Sequence, residues 1–444
     1  AATDPALGPP PASVGGGPVN VTREITPADT TTEVSLTING TEIKSFSGFS
    51  ISMDIMQLGD PFALTLPNPR GLWTKLTEPG AAVQVRMRNQ AVNGNQWALR
   101  HTGRIIDSPM ECDNTSGSII QVAGADLGWH LMNEYPQPFL RLEQATFGDL
   151  LKWAIDGAPT ASVQFVGNQF KITRSQDSNN WGFSGVTSDT EATRKIRLGT
   201  IGGRAVQEAQ QQDALIIYQA QVEPGQSLGA LLIRYAQRFN RLVNVTPDGF
   251  IQVFEPNYAQ TPLYRINLYR EGSMGNSPNN VLRAHVDRSL TTRYSRVTVV
   301  GQVVGYQVFD PWKYNPGKFL GTADATGDDA LPFVREFTRA DGEVWDPKWA
   351  PDAAGWTLRR GLYDAFTATY TVRGHWQSYG GKANWWVPDT MCEVHDEVHG
   401  LDGNYYVAAV RPSRTMAGDL TEVTLKKPNL LSANFRNVVT GKVS

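Results

Sequence analysis

Along residues 82–88, AVQVRMR, Val83, Val85 and Met87 alternate with Gln84 and Arg86, the period of two that marks a half-buried strand. Short stretches of the same kind, VSLTING, FSISMDI, HTGRIIDSP and SIIQVAGAD, fill the chain from Glu33 to about Asp126 with turn residues between them. This grammar predicts an all-β domain. It returns near the other end, at 388–428. There an alternating strand (Cys392, Val394), a polar turn, an apolar strand (Tyr406, Ala408, Val410), a second polar turn and a last alternating strand (Val423, Leu425) repeat the order of residues 81–126. The pattern predicts two related antiparallel β-domains in one chain.

Between them the period changes. In EPGQSLGALLIRYAQRFNRLVNVTPDGFIQVFEP, residues 223–256, Ser227 stands at an N-cap position, and Leu228, Leu231, Leu232, Tyr235, Ala236 and Phe239 share one helical face. Arg234, Gln237, Arg238 and Arg241 take the opposite face. Leu242, Val243 and Val245 then begin a strand, Pro247-Asp248-Gly249 supplies a turn, and Phe250, Ile251, Val253 and Phe254 return. TFGDLLKWAI, 146–155, echoes SLGALLIRYA, 227–236, so two small α/β units are expected. Residues 160–215, polar and irregular, predict an inserted surface excursion, and YNPGKFLGTADATGDDALPF, 314–333, a second insertion.

The expected organisation is a flexible Pro/Gly-rich arm at 1–30, a first β-domain at 31–127, a helical and irregular α+β domain at 128–218, a helix plus hairpin at 219–282, a second β-domain with insertion at 283–430, and a tail at 431–444. A chain of 444 residues exceeds one ordinary core, so several domains are required. The fold class is mainly β with α+β.

Charge narrows the function. With 40 Lys and Arg against 43 Asp and Glu, and no basic block, the chain lacks the electrostatic footprint of a dedicated nucleic-acid binder. Cys112 and Cys392, far apart, suggest neither a disulfide framework nor a metal or redox pair, and both are expected to be buried thiols. No stretch has the basic start and apolar core of a signal peptide or the length of a membrane span, so a soluble protein made in a cytoplasm is expected.

Candidate chemistry is sparse. HDEVH, 395–399, spaces two histidines four apart, but Asp396 stands where a zinc protease needs Glu, and the flanking alternation predicts strand and turn rather than helix. No shared metal at His395 and His399 is therefore expected, and no catalytic role for Asp396 or Glu397. DSNNWGFSGVTSD, 177–189, has Asp177, Asn179 and Gly182 at calcium-loop positions, with Trp181 and Ser188 where oxygen ligands belong. Asp328 and Asp329 read as solvated loop carboxylates. Hydrolase, P-loop and dinucleotide signatures are absent from the sequence. No catalytic, cofactor-binding or metal residue is assigned, and no cofactor.

The collinear order of the strands at 33–66, GADLGWHLMN (124–133), the helix-hairpin, RYSRVTVVGQ (293–302), WTLRRGLYDAFTATYTVRGH (356–375), WWVPDTMCEV and TEVTLKKPN resembles the baseplate hub proteins of contractile-tailed phages of the Mu type. The valine-glycine repeat spike proteins of type VI secretion are more distant relatives of that family. The resemblance spans most of 33–430 and implies two similar antiparallel β-barrel-like tube domains flanking two small α/β domains. It implies a non-enzymatic homotrimer in the virion tail baseplate, made in the bacterial host cytoplasm, joining a sixfold tail tube ring to a threefold central spike. Contacts with other baseplate proteins, wedge proteins among them, would follow, with only transient passage of DNA through a neutral to acidic lumen and no membrane insertion. Three chains with two copies each would give the six units such a junction needs. Another reading, a secreted multi-domain β-protein that binds or cleaves carbohydrate, rests on the 12 Trp and the many strands.

Overall fold

The computed structural model describes residues 32–43, 46–94, 96–113, 117–133, 141–146, 172–174, 216–221, 224–238, 242–249, 251–254, 256–270, 279–301, 320–341, 349–415 and 418–431. The first part supplies β1 (Glu33–Ile38), β2 (Thr41–Ile43), β3 (Gly48–Ile51), β4 (Met53–Asp54), β5 (Pro61–Pro67), β6 (Ala82–Arg88), β7 (Ala98–Asp107), β8 (Met110–Asp113) and β9 (Gly117–Asp126), with helices α1 (Gln90–Asn93) and α2 (Gly128–Asn133). The middle holds β10 (Arg141–Thr146), β11 (Ile172–Arg174), β12 (Ile216–Gln221), helix α3 (Leu228–Arg238), β13 (Leu242–Val245) and β14 (Ile251–Phe254). The last part holds β15 (Tyr264–Leu268), β16 (Val281–Arg288), β17 (Arg296–Gly301), β18 (Leu320–Asp324), β19 (Glu336–Asp341), helix α4 (Trp349–Asp364), β20 (Phe366–Arg373), β21 (Trp376–Tyr379), β22 (Lys382–Trp385), β23 (Thr390–Asp396), β24 (Leu401–Thr415) and β25 (Gly418–Lys426).

The mainly β expectation holds, but the described residues close no barrel. Two groups of strands share one sheet. In the first group the neighbours run β1-β6-β7-β9-β5-β3, and in the second β15-β23-β24-β25-β20-β16. The chain visits both in the same sequence of positions: first, sixth, fifth, second, third, fourth. The first position differs in direction, since β1 is antiparallel to β6 whereas β15 is parallel to β23. β15 also shows that the sheet of the second group begins before residue 283.

The periodicity of two produces this sheet because every second side chain faces one continuous core. Val83, Val85 and Met87 are buried as the alternation predicts, and Phe49, Phe62, Val122, Tyr264, Tyr370, Trp386 and Val423 from both groups meet them in one cluster. At the crossing of β7 and β9 only glycine fits. A Cβ on Gly124 would stand 2.2 Å from the Arg104 carbonyl oxygen and 2.3 Å from the Phe62 ring.

The helix-hairpin forms as its pattern dictates. The Ser227 hydroxyl accepts the Ala230 N–H at 3.2 Å, and Leu228, Leu231, Leu232, Tyr235 and Ala236 are buried. β13 and β14 pair antiparallel across a turn in which Gly249 adopts φ +87°, a conformation open to glycine. β11, within the segment read as an excursion, adds a third, parallel strand at 172–174 beside β14. Thr146, the first residue of the expected echo helix, ends β10, and residues 147–155 and the Arg238, Phe239 and Arg241 side chains lie outside the described residues.

The second insertion is more than a loop. Its β18 pairs antiparallel with β17, β19 pairs parallel on the other side, and α4 covers them through Val297, Val299, Ala323, Ala350, Ala354 and Leu358. No helix among the described residues is long and apolar enough to cross a membrane.

Candidate functional site

HDEVH ends β23 and forms the turn into β24. Asp396 is buried, 1% exposed, and accepts four hydrogen bonds: from Tyr370 Oη at 2.7 Å, the Val398 and His399 N–H groups at 2.9 Å each, and His399 Nδ1 at 2.8 Å. It anchors the turn. His395 contacts other groups, with Nδ1 3.1 Å from Asp402 and its ring 5.1 Å from that of Tyr269. The two histidines thus have separate carboxylate partners. Among the described residues no group of three or more His, Cys, Asp or Glu is placed to hold a metal.

The calcium-loop positions Asp177, Asn179 and Gly182 lie outside the described residues. Asp329 sits at the surface, 3.2 Å from Lys427 Nζ. Arg234 stands 5.3 Å from the ring of Tyr235 on α3. Cys392 is buried, with its thiol pushed up by desolvation, but Cys112 is exposed, which corrects the expectation of two buried thiols. The cause is its place on β8, whose far edge carries no neighbouring strand among the described residues.

The arrangement that stands out is the splice between the two strand groups. β24 is long enough to serve both. Residues 401–407 pair with β23, while Ala409 and Val410 pair with β4, and Ser413 and Arg414 with β3; β25 runs along its other edge. A bulge between Val407 and Ala409 separates the two uses.

Side chains lock this splice. Arg414 donates from Nε to Asp419 Oδ1 at 2.6 Å and from Nη2 to Oδ2 at 2.8 Å, and Nη2 also reaches the Thr32 carbonyl at 2.5 Å. Burial alone would raise the Asp419 carboxyl, but the Arg414 fork and His375, 3.6 Å away, outweigh it and hold it well below the usual range. At the other end, Asp60 accepts the Asp54 N–H at 3.0 and 3.2 Å, and Asp126 accepts the Gly128 N–H at 2.8 Å. Burial pushes Asp126 up to about 7 and, with the charge of Asp126, raises Asp60 well above the usual range. Between the groups Arg100 of β7 is buried and donates to the Trp386 carbonyl at 2.7 Å; desolvation lowers its guanidinium to about 10. Nothing in the alternation around 98–107 singles out Arg100, because its partner lies 286 positions away.

No family model matches the chain, and no curated protein does. Solved structures do. A tail protein from Neisseria meningitidis MC58 superimposes with a TM-score of 0.64 at 17% identity, covering 91% of this chain and 99% of its own. The 43 kDa tail protein of prophage MuSo2 from Shewanella oneidensis gives 0.62 at 18% identity over 90% and 99%. A chain of the Francisella PdpA-VgrG complex gives 0.50 at 8% identity over 89% of this chain and 58% of that one. The chain therefore has the fold of these phage tail proteins, shared with a chain of the PdpA-VgrG complex. The MuSo2 structure agrees, at the level of the overall fold, with the resemblance to Mu-type tail proteins that the collinear motifs carry.

Proposed function

We propose that this chain is a structural, non-enzymatic baseplate hub of a contractile phage tail, a homotrimer that joins the sixfold tail tube to the threefold central spike and forms part of the DNA ejection channel. The observation that carries the reading is the repeated strand order, β1-β6-β7-β9-β5-β3 and β15-β23-β24-β25-β20-β16, joined within one chain by β24. One chain with two alike β-modules contributes two of six equivalent positions, so three chains complete a sixfold ring while keeping threefold symmetry for a spike. The tail-protein fold supports the same reading. In this role the chain lies in the virion, contacts the tube ring, the spike and other baseplate proteins, and lines a lumen that must not grip phosphates.

The aromatic residues offer the carbohydrate reading little. Trp386 is buried and stacked on Tyr264 at 4.0 Å, Trp376 is buried, and the exposed Trp97 lies under the Arg88 guanidinium at 4.7 Å. Stable mass in solution tests the hub reading: light scattering is expected to give three chains per particle. A monomer at all concentrations would refute it.

A further inference from the structure

The splice inside the chain is a template for a contact between chains. In the second group, the hairpin from β24 to β25 pairs Ser413 with Leu420, Arg414 with Asp419 and, last, Thr415 with Gly418. In the first group, the hairpin from β8 to β9 pairs Glu111 with Ile119, Cys112 with Ser118 and, last, Asp113 with Gly117. The bulges before them also correspond, Ile105 opposite Gly124 and Val407 opposite Leu425, so Glu111, Cys112 and Asp113 occupy the places of Ser413, Arg414 and Thr415. The outer edge of Ser413 and Arg414 is covered by Ser50 and Phe49 of β3. The outer edge of β8 is covered by no strand among the described residues.

The strand equivalent to β3 is β16, the last in its own group, and among the described residues it pairs only with β20. Phe49 and Ile51 of β3 face the core, and Ala284 and Val286 are the β16 residues that pack against the same core. Ser50 therefore matches His285, Phe49 matches Ala284, and Gly48 matches Arg283.

We infer that β8 of one chain and β16 of a second copy pair antiparallel, with Glu111 opposite His285, Cys112 opposite Ala284 and Asp113 opposite Arg283, as β24 pairs with β3 within the chain. This rests on the trimeric hub reading and names the surfaces that make the trimer. Both edges carry what an unfilled interface shows: Met110 is 46% exposed and Leu282 54%. The charges are complementary, with Glu111 and Asp107 exposed beside the β8 edge and Arg283 and Arg288 exposed on β16. The two edges are different surfaces, so the contact is head to tail and closes into a ring when it repeats the rotation of the internal splice.

Cys112 supplies the probe. Directly opposed residues on antiparallel strands have Cα atoms about 4.5 to 5.5 Å apart, within disulfide reach. In the full chain carrying Ala284→Cys, mild oxidation is expected to give covalent species up to a trimer on a non-reducing gel, lost again when Cys112→Ser is added. Asp287→Cys, three residues along the same edge, is expected to give none. A trimer by light scattering without cross-linking at any position from 281 to 288 would overturn the pairing and leave the trimer standing. Cross-linking at 287 in place of 284 would overturn the register, and a monomer would overturn both the pairing and the hub reading.

Discussion

The two strand groups follow one path and, beyond the reversed direction of the first strand, differ in three places. β24 runs unbroken for 15 residues, whereas its counterpart is split into β7 and β8 around Ser108 and Pro109. Only residues 52–60 connect β3 to β5, but β17, β18, β19 and α4 lie between β16 and β20. The first group also relies on glycine at the β7/β9 crossing, where the equivalent β24/β25 crossing has Val407 opposite Leu425. The shared path sets the module; the differences are confined to where each module meets something else. β24 is continuous because it must pair beyond its own group, and β8 has an open far edge.

The sharpest way to break the comparison is at that crossing. Gly124→Val drives two γ-carbons into the Arg104 carbonyl and the Phe62 ring, already 2.2 and 2.3 Å from a bare Cβ. We expect a loss of about 3 kcal/mol or more, read as a urea midpoint shift or as insoluble protein. Leu425→Val, at the matching place in the partner group, removes one methylene from a buried site and is expected to cost only about 1 kcal/mol. Equal losses would show that the crossings are not packed differently.

That contrast also marks what could be read from the chain alone. The alternation of Val83, Val85 and Met87, or of Val423 and Leu425, reports burial directly, and the Ser227 cap and Gly249 turn are local devices. The splice is not local. Ser413 meets Ser50 through backbone groups that every residue carries, so no side-chain pattern announces it. The parallel pairing of β15 with β23 escaped for the same reason, and β18 was hidden because LGTAD is too short and polar to signal a strand. Of the candidate site, the strand-and-turn setting of HDEVH was legible from its flanks, but the burial of Asp126 and Arg100 depends on neighbours distant in sequence.

The two ends of the splice should respond to pH with opposite sign. Asp126 in the folded chain sits near 7 against about 4 unfolded, so its neutral form contributes stability fully below about pH 4, and that contribution is lost as pH rises through 7. Asp126→Asn keeps the neutral shape, and we expect it to flatten the decline in urea midpoint between pH 4 and 8 by on the order of 3 kcal/mol. Asp60, raised in the same direction, leaves a residual slope that Asp60→Asn should remove. An unchanged slope in both variants would mean that these carboxyls are solvated. Asp419 works the other way. Held below the usual carboxylate range, it contributes stability above about pH 4 that is lost as pH falls toward its folded value. Arg414→Met removes both fork bonds and the Thr32 contact, and should cost about 2 to 3 kcal/mol at pH 7 while weakening the acid-limb loss.

The smallest effect compares the same strand pair in both groups. At the first and second positions Glu33 faces Arg88 at 2.5 Å between β1 and β6, and Arg265 faces Glu393 at 3.9 Å between β15 and β23. The opposite strand directions place the same pair of charges in unequal settings. Glu33 is 55% exposed and among the described residues reaches only Arg88, whereas Glu393 is 35% exposed and also accepts the Tyr379 hydroxyl. Solvent screening limits either ion pair to roughly 0.2 to 1 kcal/mol, so neither holds its group together. Double-mutant cycles to alanine should give a coupling for Arg88 and Glu33 that vanishes in 1 M salt, where the Debye length falls to about 3 Å. Arg265 and Glu393 should keep part of theirs, because the tyrosine holds the carboxylate in place and burial excludes some counterions. If the coupling at Arg88 and Glu33 proved the larger and the more salt-resistant, the parallel corner around β15 would be the looser of the two, and the ranking of the groups at this position would reverse.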